Sequence, residues 1–198
     1  MIQLNAILVL VFLSLFEIGN GLKVGDIAMD FNLKNIDGTM VSLSGNDEVN
    51  GYILIFTCNT CPYSVAYEDR IIALHEKYSS KGFPVVAVQP NDTQRSPGDS
   101  YERMQQRAKE KGFSFPYLID ETQEVTRTYG ATNTPHVYVL NREPGDKFVI
   151  EYIGAIDNNS RNAAAADQHY VEKAVDNLLT GKSIETTKTK ACLLYTSP

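Results

Sequence analysis

Two cysteines separated by two residues are the strongest chemical signal in this sequence. Cys58 and Cys61 lie in the run Thr57-Cys58-Asn59-Thr60-Cys61-Pro62, between an apolar run and a segment with helical periodicity. At the start of a helix, unpaired N–H groups and the helix dipole stabilise a thiolate and lower its pKa. Such a thiolate attacks a disulfide, and a second thiol releases the product. The pair therefore predicts thiol–disulfide exchange, with Cys58 as the more exposed, attacking thiol and Cys61 as the resolving thiol.

A zinc site and a purely structural disulfide share this cysteine spacing, but both fit the sequence less well. A zinc site needs a second pair of ligands. The remaining thiol and imidazoles do not supply a pair: His75, His136, His169 and Cys192 are scattered along the chain. A structural disulfide would close so small a ring that it would constrain little chain entropy. We therefore expect neither a metal nor a cofactor.

The cysteine pair must be positioned by the elements on either side of it. Tyr52–Phe56 is a continuous apolar run rich in β-formers, which predicts a central strand buried on both faces. After Pro62, Tyr67, Ile71, Leu74 and Tyr78 recur at helical spacing. Proline is tolerated in the first turn of a helix because its missing N–H would be unbonded there. The pair is thus expected at a strand-to-helix junction.

The rest of the chain predicts an α/β fold, with a central mixed sheet covered by helices. Asp37-Gly38 indicates a hairpin, and the polar run 91–100 is interpreted as an inserted surface loop. Further strands are predicted at 83–88, 115–119, 137–140 and 147–153, and helices at 101–111, 121–129 (capped by Asp120) and 167–179. No linker divides residues 24–181, which are expected to form one domain.

Three parts of the sequence resemble the thioredoxin superfamily. They are the segment Val24–Phe31 with its following hairpin, the strand–Cys58-Asn59-Thr60-Cys61-Pro62–helix unit, and Thr134-Pro135 before a strand. The resemblance spans about residues 24–179 and implies a three-layer thioredoxin-like fold. It also implies that Pro135 is the family's cis-proline and that Thr134 offers backbone groups to an extended substrate. Protein thiols and disulfides would then be the partners.

The first of these parts looks more like the redoxin branch, which includes the alkyl hydroperoxide reductases and thiol-specific antioxidant proteins, than like small thioredoxins. Peroxiredoxins carry Thr-x-x-Cys, often followed by proline. Cys61-Pro62 matches that pattern, whereas Cys58 stands at the threonine position. The resemblance thus leaves a peroxidase open, with Cys61 attacking peroxide and Arg127, by its order in the sequence, a candidate to hold the thiolate. A non-enzymatic redox-sensing module on the same fold is a third hypothesis.

The sequence also departs from the thioredoxin pattern at the proton acceptor. Thioredoxins bury an acid six residues before the first cysteine, but Tyr52 stands there, and Thr57 replaces the usual tryptophan. Glu68 and His136 are candidates for that role, although solvent exposure is the expectation for both. The sequence alone leaves open which group deprotonates the second thiol.

Composition and the two termini complete the sequence-based predictions. The 198 residues carry a net charge of −6, with no local basic run, which argues against a nucleic-acid partner. Residues 1–21 contain the apolar segment 4–16, typical of a signal peptide or an anchor, so we expect export to a periplasmic or extracellular location. Membrane contact is expected only if this segment is retained. Residues 182–198 form a polar tail, and 192–198 resemble a translated sequencing adapter, which would leave Cys192 without function; a resolving thiol there is the alternative.

Overall fold

A seven-stranded mixed sheet forms the centre of the computed structural model, which describes residues 21–191. The strands are β1 Leu33–Asn35, β2 Met40–Val41, β3 Gly51–Phe56, β4 Val85–Gln89, β5 Tyr117–Ile119, β6 His136–Glu143 and β7 Lys147–Gly154. The helices are α1 Pro62–Tyr78, α2 Tyr101–Lys111, α3 Glu124–Tyr129 and α4 Tyr170–Leu179. Across the sheet the strand order is β2-β1-β5-β4-β3-β6-β7.

Strand β3 is central, as its apolar sequence predicted. It runs parallel to β4 and antiparallel to β6, and every residue in it is buried. Side chains alternate across a strand, so Ile53 and Ile55 pack on one face with side chains of α1, α2 and α4. Leu54 and Phe56 pack on the other face, where α3 contributes Tyr129. The three-layer α/β architecture is therefore confirmed.

Two predicted helices begin later than expected, and one predicted surface loop is partly buried. Helix α3 begins at Glu124 rather than at residue 121, because Gln123 is in the left-handed region with a φ of 57°. The N-cap residue is therefore Gln123 and not Asp120 as expected, although the Asp120 carboxylate accepts the Thr126 N–H in the first turn at 2.8 Å. Helix α4 begins at Tyr170 rather than at residue 167. The run 91–100 was interpreted as a surface insertion, but part of it is buried beneath the cysteine turn.

The polar segment after α4 packs along β7. Lys188 bridges Ile153 in parallel register, and the N–H of Ile153 donates to the Thr187 carbonyl at 3.0 Å. The tail thereby pairs with the end of β7, whereas Ile27 bridges Val149 farther along the same edge. No helix within residues 21–191 is long and apolar enough to cross a membrane. The apolar segment 4–16 and the adapter-like residues 192–198 lie outside the described residues.

Replacing Thr189 by valine is expected to destabilise the fold by about 1–2 kcal/mol. Its Oγ1 accepts the N–H of Ala155 at 2.9 Å and contacts the Tyr152 hydroxyl. Valine keeps the volume but leaves a buried N–H unpaired. Urea unfolding of this variant beside Thr186→Val, an exposed matched control, measures the difference. Equal midpoints for the two variants would show that the tail does not stabilise β7.

Candidate active site

The cysteine pair lies where β3 ends and α1 begins. Cys61 is the N-cap residue of α1, and Pro62 occupies its first turn. The helix carries no acidic residue in that turn. Because the preceding strand is buried on both faces, it holds the turn rigidly against the sheet. The local sequence thus folds as predicted, with the thiols at the positive end of a helix.

The four residues predicted for the site lie together in the structure. The Sγ of Cys58 is 3.5 Å from Oγ1 of Thr134, and the Cys61 thiol donates to the Thr134 carbonyl oxygen at 3.3 Å. The Thr134–Pro135 peptide bond is cis, as the family resemblance implied. Both cysteines are free thiols. The loop that contains Thr134 is thereby brought against the cysteine pair, although Thr134 lies 73 residues from Cys61 in the sequence.

The exposure of the two thiols does not follow the expected order. Cys58 is only 4% exposed and Cys61 is 7% exposed, so Cys58 is not the more accessible thiol. A hydrogen bond from Cys58 lowers the pKa of the Cys61 thiol, with further help from Thr134 and the N–H groups of Ser64 and Tyr63. That same hydrogen bond, followed by burial, raises the pKa of Cys58. The helix N-terminus therefore favours the thiolate at Cys61.

A buried carboxylate that sequence reasoning missed holds the turn between the cysteines. Asp99 is fully buried and accepts the N–H groups of Asn59 and Thr60 at 2.8 and 3.1 Å. It lies in the polar run that was interpreted as a surface insertion. A single sequence carries no signal for this contact, because the partners are 39 and 40 residues apart and the run has the composition of an ordinary loop.

Glu68 is buried against Cys58 rather than exposed as expected. Glu68 and Cys58 line the same small cavity, with the aromatic ring of Tyr117. The Glu68 carboxylate accepts two hydrogen bonds from Arg107 of α2, both at 2.7 Å, and Lys111 lies 3.4 Å away. The group that was a candidate proton acceptor is thus an ion-paired carboxylate beneath the turn.

His136, the second candidate proton acceptor, lies mostly buried beside the cis-proline. Within residues 21–191 its Nδ1 is buried without a hydrogen-bond partner. Burial, together with the charge of Lys188, lowers the pKa of His136 to about 4. Its ring lines an open pocket of about 730 Å³ that also includes Arg127 and Lys188. His136 is therefore neutral over the ordinary pH range and is not hydrogen-bonded to either cysteine.

The lowered pKa of His136 predicts a pH-dependent stability. The unfolded pKa lies near 6.5, so between pH 4 and 6.5 the unfolded chain binds more protons than the folded chain. Stability should therefore rise with pH across this window and be lost as pH falls through it. NMR titration of the imidazole, with unfolding measured for His136→Gln and for the exposed control His169→Gln, tests this. A His136 titration near 6.5 would contradict the expectation.

Two further sequence expectations concern Arg127 and metals. Arg127 donates to the Thr122 carbonyl at 2.8 Å and lines the open pocket beside His136. Among the described residues, no hydrogen bond joins it to either thiol. Within the part of the chain that the structure describes, no group of three His, Cys, Asp or Glu side chains is arranged to hold a metal ion.

The sheet order, the cis-proline and the strand–cysteine–helix junction define a thioredoxin-like protein. The model of the AhpC/TSA family matches residues 24–156, more than half of the chain. The chain therefore belongs to the AhpC/TSA family. It is also similar to the thiol-disulfide oxidoreductase ResA of Bacillus thuringiensis (strain Al Hakam), with 24% identity over 136 residues, 67% of this chain and 71% of the relative.

Solved structures agree on the fold. An uncharacterised conserved protein from Geobacillus kaustophilus matches with a TM-score of 0.77 and 34% identity, over 84% of this chain and 87% of the other. A hypothetical protein from Sinorhizobium meliloti 1021 matches with a TM-score of 0.78 and 29% identity, over 89% and 94%. A thiol-disulfide oxidoreductase from Bacteroides fragilis NCTC 9343 shares the fold at 18% identity, with a TM-score of 0.53 over 65% and 89%.

Proposed function

We propose that this protein is a thiol–disulfide oxidoreductase that exchanges electrons with protein thiols or disulfides through Cys58 and Cys61. The observation that carries the proposal is the meeting of two free thiols with Thr134 and a cis-proline at the start of α1. The similarity to ResA, named a thiol-disulfide oxidoreductase, supports the same activity.

In the proposed reaction Cys61 attacks first. Its thiolate forms a bond to one sulfur of the substrate disulfide, and the other substrate sulfur leaves as a thiolate that takes up a proton. Cys58 then loses its proton and attacks the Cys61 sulfur, which releases the second substrate thiol. The protein is oxidised by two electrons and the substrate disulfide is reduced to two thiols. Every step is reversible, so the same two cysteines, when joined as a disulfide, oxidise a partner that carries two thiols.

Thr134 and Pro135 are proposed to bind the substrate segment next to Cys61. Thr134 is 1% exposed, and its carbonyl oxygen lies within hydrogen-bond distance of the Cys61 sulfur. A substrate cysteine bonded to that sulfur would therefore lie next to the cis-proline loop. Backbone groups in this loop can pair with an extended peptide irrespective of its sequence, which suits a protein with several partners.

A thiol peroxidase is the second candidate function. The lowered pKa of Cys61, which stands at the peroxidatic position of the Thr-x-x-Cys-Pro pattern, favours it. In that reaction the Cys61 thiolate would attack peroxide and become a sulfenic acid, and Cys58 would condense with it to a disulfide and water. The exchange reaction is preferred because the threonine of that pattern is replaced by a second thiol, Cys58.

We further propose that the protein works outside the cytosol. The apolar segment 4–16 supports export, and an oxidising compartment outside the cytosol is where protein disulfides form and persist.

The proposed activity is tested with the Cys192→Ser protein, which retains only the two site thiols. Reduction of insulin disulfides with dithiothreitol as electron donor, and consumption of hydrogen peroxide with the same donor, are measured side by side. We expect insulin reduction well above that of the Cys58→Ser/Cys61→Ser double variant. Peroxide consumption alone would favour the peroxidase, and neither activity would leave a non-enzymatic redox-sensing module.

A further inference from the structure

The loop 91–99 is built to present one carboxylate to the cysteine turn. The Oδ1 atom of Asp99 accepts the two N–H groups of Asn59 and Thr60. Its Oδ2 accepts the Thr60 hydroxyl at 2.7 Å, the Ser96 hydroxyl at 2.6 Å and the Asn91 amide at 2.9 Å. Five donors therefore converge on a side chain with no exposed surface. These donors are all neutral, so none of them offsets a negative charge on the carboxylate.

The backbone of this loop is fixed from below by the end of β4. Gln89 is fully buried, and its amide donates to the carbonyl oxygens of Asn91 and Asp99 at 3.1 and 3.0 Å. The N–H of Asn91 donates back to the Gln89 side chain. Because both ends of the loop are tied to one buried amide, the carboxylate has a defined position relative to the sheet.

The loop also makes direct contact with the residues between the cysteines. The Asn59 amide donates to the Gly98 carbonyl at 3.0 Å. A Cβ atom at Gly98 would lie 2.6 Å from Cγ2 of Thr60, so only glycine fits this approach without a shift. The side chain of Asn59 also accepts the Tyr117 hydroxyl at 3.1 Å. Both intervening residues are thus held by the loop and not left free in solvent.

This arrangement affects the two thiols unequally. The N–H groups that Asp99 occupies belong to the residues directly after Cys58, so they are not available to a thiolate there. Asp99 is also among the groups that raise the pKa of Cys58, after the Cys61 hydrogen bond and burial. The causes that lower the pKa of Cys61 are instead the Cys58 hydrogen bond, Thr134 and the N–H groups of Ser64 and Tyr63.

Three other titratable groups face Cys58 from the elements around it. Glu68 approaches from α1, but Arg107 of α2 neutralises it through two hydrogen bonds. Tyr117 approaches from β5, and burial raises its pKa, so it stays neutral. Cys61 itself lies across the turn. Asp99 therefore differs from Glu68, because its hydrogen-bond donors are all neutral and do not offset the negative charge of its carboxylate.

We propose that Asp99 is a positioning residue that holds the turn after Cys58 and helps to keep Cys58 protonated, so that Cys61 attacks first. The order of attack rests on the proposed exchange function. The effect of Asp99 on the ionisation of Cys58, by contrast, is measured in the free protein without a substrate. Cys58 loses its proton only in the second step, when it attacks the mixed disulfide.

The test is an NMR titration of the reduced protein with ¹³Cβ-labelled cysteine in the Cys192→Ser background. Asp99→Asn removes the charge with little change in shape and should lower the pKa of Cys58 by about one unit, a tenfold gain in thiolate. Asp92→Asn makes the same charge change in the same loop, on a half-exposed side chain away from the turn, and should leave Cys58 unchanged. Thr60→Val removes one donor to Asp99 but keeps the charge, so it should not reproduce the effect.

An unchanged Cys58 titration in a folded Asp99→Asn protein would overturn the proposal. Should that variant fail to fold, as judged by circular dichroism, Asp99→Ser, which also lacks the charge, is titrated in its place: a lowered pKa of Cys58 supports the proposal and an unchanged one overturns it. The titration needs no substrate. Its outcome is therefore independent of the activity assays, and absence of insulin reduction would fail the proposed function without altering the assignment of Asp99.

Discussion

Cys61→Ser is expected to abolish rapid reaction with a disulfide, whereas Cys58→Ser is expected to keep the first step and stop at a mixed disulfide. The reason is the difference between the thiols: Cys61 caps α1 and has a lowered pKa, whereas the pKa of Cys58 is raised. A serine hydroxyl is not ionised near neutral pH, so it cannot replace the attacking thiolate.

A chromogenic aromatic disulfide, 5,5′-dithiobis(2-nitrobenzoic acid), measures this directly in the Cys192→Ser background. The parent protein should release about two equivalents of the coloured thiolate, because the second thiol resolves the adduct, and Cys58→Ser about one. Cys61→Ser should react more slowly than the same variant unfolded in guanidinium, because its remaining thiol is buried and has a raised pKa. Rapid adduct formation by Cys61→Ser, with none by Cys58→Ser, would contradict this expectation and show that Cys58 attacks first.

Arg107→Met is expected to destabilise the protein by about 3 kcal/mol, because it leaves the Glu68 carboxylate buried without its main partner. The Glu68 side chain is only 5% exposed, and both of its oxygens accept hydrogen bonds from Arg107. Adding Glu68→Gln to this variant removes the unpaired charge and should recover much of the loss. Guanidinium unfolding of the single and double variants gives the two values.

Arg103→Met serves as the matched control for this experiment. Arg103 lies on the exposed side of the same helix and donates to Gln106, so its loss should change the free energy of unfolding by less than about 0.5 kcal/mol. Equal destabilisation by Arg103→Met and Arg107→Met would mean that the buried ion pair is not what the second variant disrupts.

Local pattern was sufficient to predict the frame of the site. An apolar run leading into two cysteines, a proline and a helical stripe places β3 and α1 correctly, because each signal extends over only a few residues. The family resemblance added the cis-proline, which no spacing argument supplies. The α/β class followed from the order of these elements along the chain.

Long-range contacts account for what the sequence could not predict. Asp99 meets the turn from a loop about forty residues away, and Glu68 is buried because Arg107 arrives from another helix. Asp and Glu are residue types usually found exposed, so composition suggested exposure for both. The pKa values of the two thiols depend on the hydrogen bond between them, on burial, on Asp99 and on Thr134, none of which the spacing of the cysteines shows.

The redox role proposed for Cys58 and Cys61 requires that the two residues form one reversible disulfide, and this can be measured directly. Reduced Cys192→Ser protein is equilibrated with mixtures of reduced and oxidised glutathione, quenched with acid, alkylated and analysed by peptide mass. We expect a single Cys58–Cys61 disulfide that appears as a two-electron transition, about 30 mV for each tenfold change in ratio. Recovery of Cys58 and Cys61 as alkylated thiols at every glutathione ratio, or with separate glutathione adducts, would contradict this expectation.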